Sequence, residues 1–369
     1  MSRLSRGKIK GISLLLIMLM TVSLIGCGKT EAKGETEKKE FRTLTDNNKR
    51  EVKVPKEVKS IVCLNVGSLR FTTYLEAEEL VVGIEKNEVE KNVAKPYNYI
   101  NNDKLAKLPI IGDNGEAYEE EILKLNPDVI VASYDKETAD KLEEKLKIPV
   151  VTIPIVDNLY DDNYVEAITI LGKLYQKDKR AAKLKAYIDT IKDDLNTRTE
   201  RTKEEDKPLV YVGGVAFKGV HGIDGTEAMY FPLTAINAKN IADEAGKKEP
   251  YNMDIENIVK KNPEILFVDY NGLELAREDY QKNKELFDGI DAINNNQVYS
   301  QISYRFSALN VELALTDAYF AGKVIYPQEF EDIDIAKKSE EIFNFFLGEN
   351  YYETLQANGM EYGEISLEK

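Results

Sequence analysis

From residue 43 onward apolar and polar positions run in short blocks, and each change of period marks an element. Thr43-Leu44-Thr45-Asp46, a polar turn at Asn47-Asn48 and Val52-Lys53-Val54-Pro55 predict a small hairpin of two alternating strands. Residues 60–66, SIVCLNV, form a β-branched apolar run of the kind found in a strand buried on both faces. Gly67 then turns the chain into a helix expected over 68–77, with Ser68 as its cap. Further strands are expected at 80–84, 128–132 and 150–153, and helices at 116–125 and 136–146. Strand and helix alternate throughout, which points to parallel layers joined by right-handed crossovers.

Residues 161 to about 205 contain no Pro and one Gly, Gly172, with apolar positions at helical spacing from Val165 to Leu195. The pattern predicts one helix roughly 55–65 Å long at ~1.5 Å per residue. A second α/β unit follows, with strands at 208–212, 265–269 and 297–299 and helices at 309–322 and 335–347. The two units echo each other. Glu120, Ile122 and Pro127 before the strand DVIVA match Glu256, Ile258 and Pro263 before EILFV, and in both the Pro stops a helix and delivers the chain into a strand. The expected fold is α/β, with two Rossmann-like lobes carrying parallel sheets and joined by a single long interlobe helix.

Composition narrows the function. The hydrophobic share of 43% over 369 residues excludes wholesale disorder and a multi-span membrane protein. With 50 Lys+Arg against 65 Asp+Glu the net charge is −15, the wrong sign for neutralising nucleic-acid phosphates. One His and two Cys exclude four-cysteine, two-cysteine-two-histidine and HExxH zinc sites.

The first 26 residues place Arg3, Arg6, Lys8 and Lys10 before an apolar run at 12–19, then Leu24-Ile25-Gly26 before Cys27, the layout of a secretory signal. Leu-Ile-Gly-Cys also resembles the bacterial lipobox, which makes Cys27 the expected site of lipidation and the new N-terminus. Cleavage there leaves 46 Lys+Arg against 65 Asp+Glu, a net charge of −19. Residues 28–40, GKTEAKGETEKKE, lack the apolar content needed for order and are expected to form a tether of at most about 45 Å. The expected domains are a signal peptide at 1–26, lipidated Cys and tether at 27–40, lobes at 41–158 and 207–369, and an interlobe helix at 159–206. The acidity reads as solvation and gives no reason to expect a cationic ligand.

The opening TLTDNNKREVKVPKEVKSIVCL, the two E-x-I-x4-P segments and GKLYQKDKRAAKL at the start of the long helical stretch, in that order, resemble the class III substrate-binding lipoproteins of ABC importers. That family captures ferric siderophores, cobalamin and haem. The resemblance spans about 41–347 and implies two lobes bridged by a rigid helix with ligand held between them and little closure. It implies no enzymatic activity and no intrinsic cofactor, with an iron chelate as transported cargo. The implied partner is an ABC permease dimer, and the implied location is the outer face of the cell membrane, through the lipid anchor. The family's permease-docking glutamates correspond to Glu120 and Glu256, a two-point clamp whose charge favours register and encounter. Glu119 and Glu121 are the competing positions.

Ligand contacts are expected in loops after the C-terminal ends of strands. These supply Asn65, Arg70, Tyr97, Tyr118 and Tyr134 from the first lobe, and His221, Tyr230, Tyr270, Tyr304 and Arg305 from the second. Arg70 and Arg305 suit carboxylates or an anionic chelate, and tyrosines suit stacking combined with hydrogen bonding. His221, in VGGVAFKGVHGIDG, is either a haem or metal ligand or a loop His bonded to backbone. Gly214 to Gly219 has phosphate-loop spacing but lacks the Lys-Ser/Thr that must follow. Cys63, inside an apolar strand, reads as an inert core thiol. Haem or cobalamin is the alternative cargo, and the lack of Trp puts ferric chelates ahead of cobalamin. The other classes are an exported hydrolase, for which there is no GxSxG, and a scaffold lipoprotein.

Overall fold

The computed structural model describes residues 40–247 and 249–368. The expected signal peptide, Cys27 and all of the tether except Glu40 lie outside the described residues.

The opening hairpin pairs β1 (Phe41–Thr45) with β2 (Glu51–Pro55), Leu44 opposite Val52. Arg50 at its turn is clamped by Asp46, Asp140 and Glu143, which fixes the hairpin to the first lobe. The first sheet contains β3 (Ile61–Leu64), β4 (Val81–Glu85), β5 (Ile110–Asp113), β6 (Glu116–Ala117), β7 (Val129–Ala132) and β8 (Val150–Thr152). Their order is β6-β5-β4-β3-β7-β8, parallel except for β6. Every residue of β3, β7 and β8 is buried, as continuous apolar strands covered on both faces should be. Cys63 lies in β3 against Thr72, and burial pushes its thiol up to about 12.

The second half supplies β9 (Leu209–Gly213), β10 (Gly225–Thr226), β11 (Lys239–Asn240), β12 (Tyr251–Asn252), β13 (Ile265–Asp269) and β14 (Val298–Gln301). Its parallel sheet has the order β11-β9-β13-β14, with β10 and β12 forming a short ribbon beside it. Strand order reverses between β3 and β7 in one sheet and between β9 and β13 in the other, and α/β folds open crevices at such reversals. A late segment closes the β14 edge: the Ser300 amide donates to the Gly363 carbonyl and the Ile365 amide to Val298.

The repeated E-x-I-x4-P segments fold alike. Glu119–Leu125 and Ile255–Lys261 are helices that end in left-handed Asn126 and Asn262, both at φ 47°. Each Asn amide donates to the carbonyl of the fully buried Ile122 or Ile258. Pro127 and Pro263 follow, and β7 and β13 begin two residues later.

Several expected elements need correcting. Residues 116–125 divide into β6 and a helix, and Ser68 is the first helical residue, its hydroxyl donating to Leu64 rather than capping. The helix expected over the whole of 161–205 is in fact two, Asn163–Tyr175 and Asp178–Thr199, of which the second alone joins the lobes. Gln176 adopts φ 57° and the Lys177 amide donates back to Gly172, a left-handed helix stop made without glycine. The 22-residue second helix, about 33 Å long, is the bridge. Arg180 near its start donates to the Tyr74 and Phe345 carbonyls, and Arg198 near its end pairs with Asp332. Gly172 lets the two helices meet, since a Cβ there would lie 2.7 Å from that of Ala181.

Gly172→Val therefore forces these helices apart. The expected cost is about 1–3 kcal/mol of stability from overpacking, read as a lower urea midpoint; an unchanged midpoint would remove Gly172 from its assigned role.

Candidate functional site

Four loops at or near strand ends enclose a cleft of about 520 Å³. Asp157 comes from the chain beyond β8, Ala216 to Lys218 from the loop after β9, Glu249 and Pro250 from the approach to β12, and Arg305, Ser307 and Ala308 from the loop after β14. Asp157 belongs to the first lobe's exit and the other residues to the second lobe, so the cleft opens where the lobes meet.

The loop after β14 also joins the lobes. Arg70, 1% exposed, donates from Nη1 to the Leu309 carbonyl (3.1 Å) and from Nη2 to the Phe306 carbonyl (2.9 Å). Its guanidinium lies 4.8 Å over the Tyr97 ring, and its Nε has no partner among the described residues. Asn310 reaches the Ala94 carbonyl, Tyr351 the Val93 carbonyl and Tyr74 the Glu312 carboxylate. Between the Arg70 anchors the backbone takes two successive left-handed residues, Ser307 at φ 50° and Ala308 at φ 66°, where non-glycine residues are strained.

Arg305 is held within the same loop. Its Nε donates to Glu227 Oε2 (2.6 Å), its Nη2 to Glu227 Oε1 and also to the Asp157 carbonyl at 3.1 Å. Burial pushes the Glu227 carboxyl up, and Arg305 and Tyr304 act against that shift. A bidentate pair of this kind uses the planar fork of the guanidinium.

The structure places the expected ligand contacts in different surroundings. Arg70, Tyr97, Tyr230 and Tyr304 are buried rather than presented to the cleft. Tyr97 donates to Glu88 (2.7 Å) and Tyr304 to Glu227 (3.3 Å), while the Tyr230 ring sits 5.2 Å from that of Tyr304. Asn65 holds strand ends together: its amide donates to Glu85 (3.0 Å) and its Nδ2 to the Ser133 carbonyl (3.1 Å). Tyr134 donates to the Gly115 carbonyl, and Tyr270 to the Glu361 carbonyl at 3.0 Å. Tyr118 is exposed at the start of the helix that carries Glu120. His221 stacks on Phe217 at 3.9 Å, and its Nε2 lies 2.8 Å from the Phe217 carbonyl, which makes Nε2–H the donor. It thus shapes the cleft wall through Phe217. Among the described residues no three His, Cys, Asp or Glu side chains group as a metal-binding set.

Sequence reasoning passed over Asp157, Glu249 and Glu227. Glu227 lies 78 residues from Arg305, with no spacing to connect them. Lys218 and Phe217 fall inside the glycine-spaced segment already singled out around His221, so a signal for them was present.

The two matched glutamates are both exposed, each the second residue of its helix. Glu119 is paired with Lys145 (2.5 Å) and Glu121 with Lys124 (2.6 Å), whereas neither Glu120 nor Glu256 has an ion pair among the described residues.

Residues 61–303 match the model of a family described as periplasmic binding protein. The chain is 25% identical over 304 residues to a petrobactin-binding protein of Bacillus subtilis, covering 78% of this chain and 90% of that one. It is 23% identical over 339 residues to a molybdate-binding protein of Haemophilus influenzae, covering 84% and 92%. A periplasmic solute binding protein from Veillonella parvula shares the fold, with a TM-score of 0.68 at 21% identity over 84% of this chain and 94% of that one. No described helix is long and apolar enough to cross a membrane.

Asp269, at the end of β13, makes the stability of the fold depend on pH. Burial pushes its carboxyl up to about 7, against the Ser303 hydroxyl and the Asn271 amide that it accepts. Unfolded, it titrates near 3.8. Its contribution to stability is complete below that value and is lost as pH rises through about 7. Urea unfolding should therefore show stability falling from about pH 4 to about pH 7 and levelling off above that, and Asp269→Asn should reduce that fall by about 1–3 kcal/mol. An equally steep fall in the variant would show that the proton is held elsewhere.

Proposed function

The chain belongs to the periplasmic binding protein family, and from that premise we propose that it captures a ferric siderophore between its lobes and hands it to the permease dimer of an ABC importer. Proteins of this family bind solutes and are not enzymes. Metal enters and leaves as cargo, with no resident cofactor. The cleft at the lobe junction, walled mainly by second-lobe loops with Asp157 from the first, is the observation that carries the proposal. The absence of a grouped donor set among the described residues favours iron arriving already wrapped in its chelator.

Permease docking through Glu120 and Glu256 is supported by their matched helices, their exposure and the pairing of Glu119 and Glu121 to lysines. Two unpaired carboxylates at equivalent places on two lobes suit a pair of arginine-bearing surfaces related by symmetry. The lipobox-like Leu24-Ile25-Gly26-Cys27 supports a lipid anchor at Cys27 that keeps the body at the outer face of the membrane.

Native mass spectrometry with ferric siderophores, ferric citrate, haem, cobalamin and molybdate tests capture. A stoichiometric ferric-siderophore complex is expected; binding of haem, cobalamin or molybdate alone would replace the cargo, and binding of none would end the proposal. For docking, Glu120→Ala with Glu256→Ala should lower iron uptake by about tenfold or more while leaving chelate affinity unchanged. Uptake at the unmodified rate would refute the docking assignment.

A further inference from the structure

We infer that the cleft selects a chelate of neutral or positive net charge and discriminates against polyanionic chelates. This deepens the capture proposal and rests on it.

A polyanionic chelate is held most tightly where guanidinium or ammonium groups are free to meet it, because each desolvated charge left without a counter-charge is costly. Neither arginine that could serve offers the cleft a free positive charge. Arg70 is buried, and its two terminal nitrogens donate to backbone carbonyls of the loop after β14. Arg305 lies at the cleft wall, but both oxygens of Glu227 neutralise its charge through Nε and Nη2, and Nη2 also donates to the Asp157 carbonyl, which leaves Nη1 as a donor on a guanidinium whose charge is already compensated. Glu227 is itself 4% exposed, so a chelate carboxylate competing for Arg305 would leave a buried carboxylate without its counter-charge.

With that pair cancelled, the charged groups left among the described lining residues are Lys218, Asp157 and Glu249, one positive against two negative. All three are exposed and none has an ion pair among the described residues. The rest of the wall is largely apolar, from Ala216, Phe217, Pro250 and Ala308. A slightly acidic rim over apolar wall suits a chelate whose hydroxamate-type donors cancel the ferric charge and whose backbone carries either nothing further or an amine.

The body's field acts in the same direction. A net charge of −19 after cleavage before Cys27 repels a polyanion approaching the cleft and draws a cation toward it. Overall acidity does not by itself name a ligand's sign; what does is that the described lining residues set one free cation, Lys218, against Asp157 and Glu249.

The test is isothermal titration calorimetry of the full mature chain with three probes: a monocationic linear ferric trihydroxamate bearing a free amine, a neutral cyclic ferric trihydroxamate, and a trianionic ferric tricatecholate. The trihydroxamates should bind more tightly, with discrimination on the order of tenfold per unit of charge at a dielectric between protein and water. Asp157→Asn with Glu249→Gln, both at exposed positions, should weaken the monocation about tenfold relative to the neutral chelate and narrow the gap to the trianion. Tighter binding of the tricatecholate, or an unchanged affinity ratio in the double variant, would overturn the charge selection while leaving capture intact. Failure of all three probes to bind would overturn capture and the selection with it.

Discussion

Everything the cleft can do depends on Arg70. A guanidinium taken out of water must find acceptors, and here the acceptors are two carbonyls of a loop that belongs to the other lobe. The demand runs in both directions. The loop, with Ser307 and Ala308 in left-handed conformations, needs external bonds to remain in a strained shape, and Arg70 supplies them. Satisfying one buried charge thus fixes the separation of two lobes and the floor of the space between them. Asn310, Tyr351 and the Tyr74–Glu312 bond add to the same seam. The bridging helix spans the molecule, but this seam is what sets the lobes face to face.

The fold was legible where local chemistry leaves little choice. Continuous apolar runs became β3, β7 and β13, because a strand covered on both faces tolerates nothing else. The duplicated Glu, Ile and Pro became duplicated helix stops, because proline cannot continue a helix and a buried isoleucine sets its inner face. The long helix was misread for a matching reason. Its break lies at Gln176, and a left-handed residue other than glycine or asparagine leaves no mark in the text. Strands β5 and β6 were missed as well, β5 because Gly112 and Asp113 leave it only two apolar residues and β6 because it is only two residues long.

The site was less legible, because a sequence shows which side chains can act but not which are already occupied. Arg70 and Arg305 have the right chemistry for anions, yet their partners lie 239 and 78 residues away in the chain. Tyr97, Tyr230 and Tyr304 fall in the right segments and turn inward, since a large aromatic beside a strand end contributes more by burial than by exposure. Glu120 was the opposite case. Sequence could not separate it from Glu119 and Glu121, and what distinguishes it is that its two neighbours are tied down by lysines.

The closing segment over β14 carries a consequence for how the molecule reaches this state. Strand β14 is one of the two edge strands of its sheet, and the backbone of residues 363–365 covers it. Until those residues are made and docked, a row of unsatisfied amides and carbonyls is available for strand addition by another copy. Assembly of the second lobe is therefore most open to association between chains at its last step, and a fusion or truncation close behind residue 365 would prolong that interval rather than alter the finished cleft.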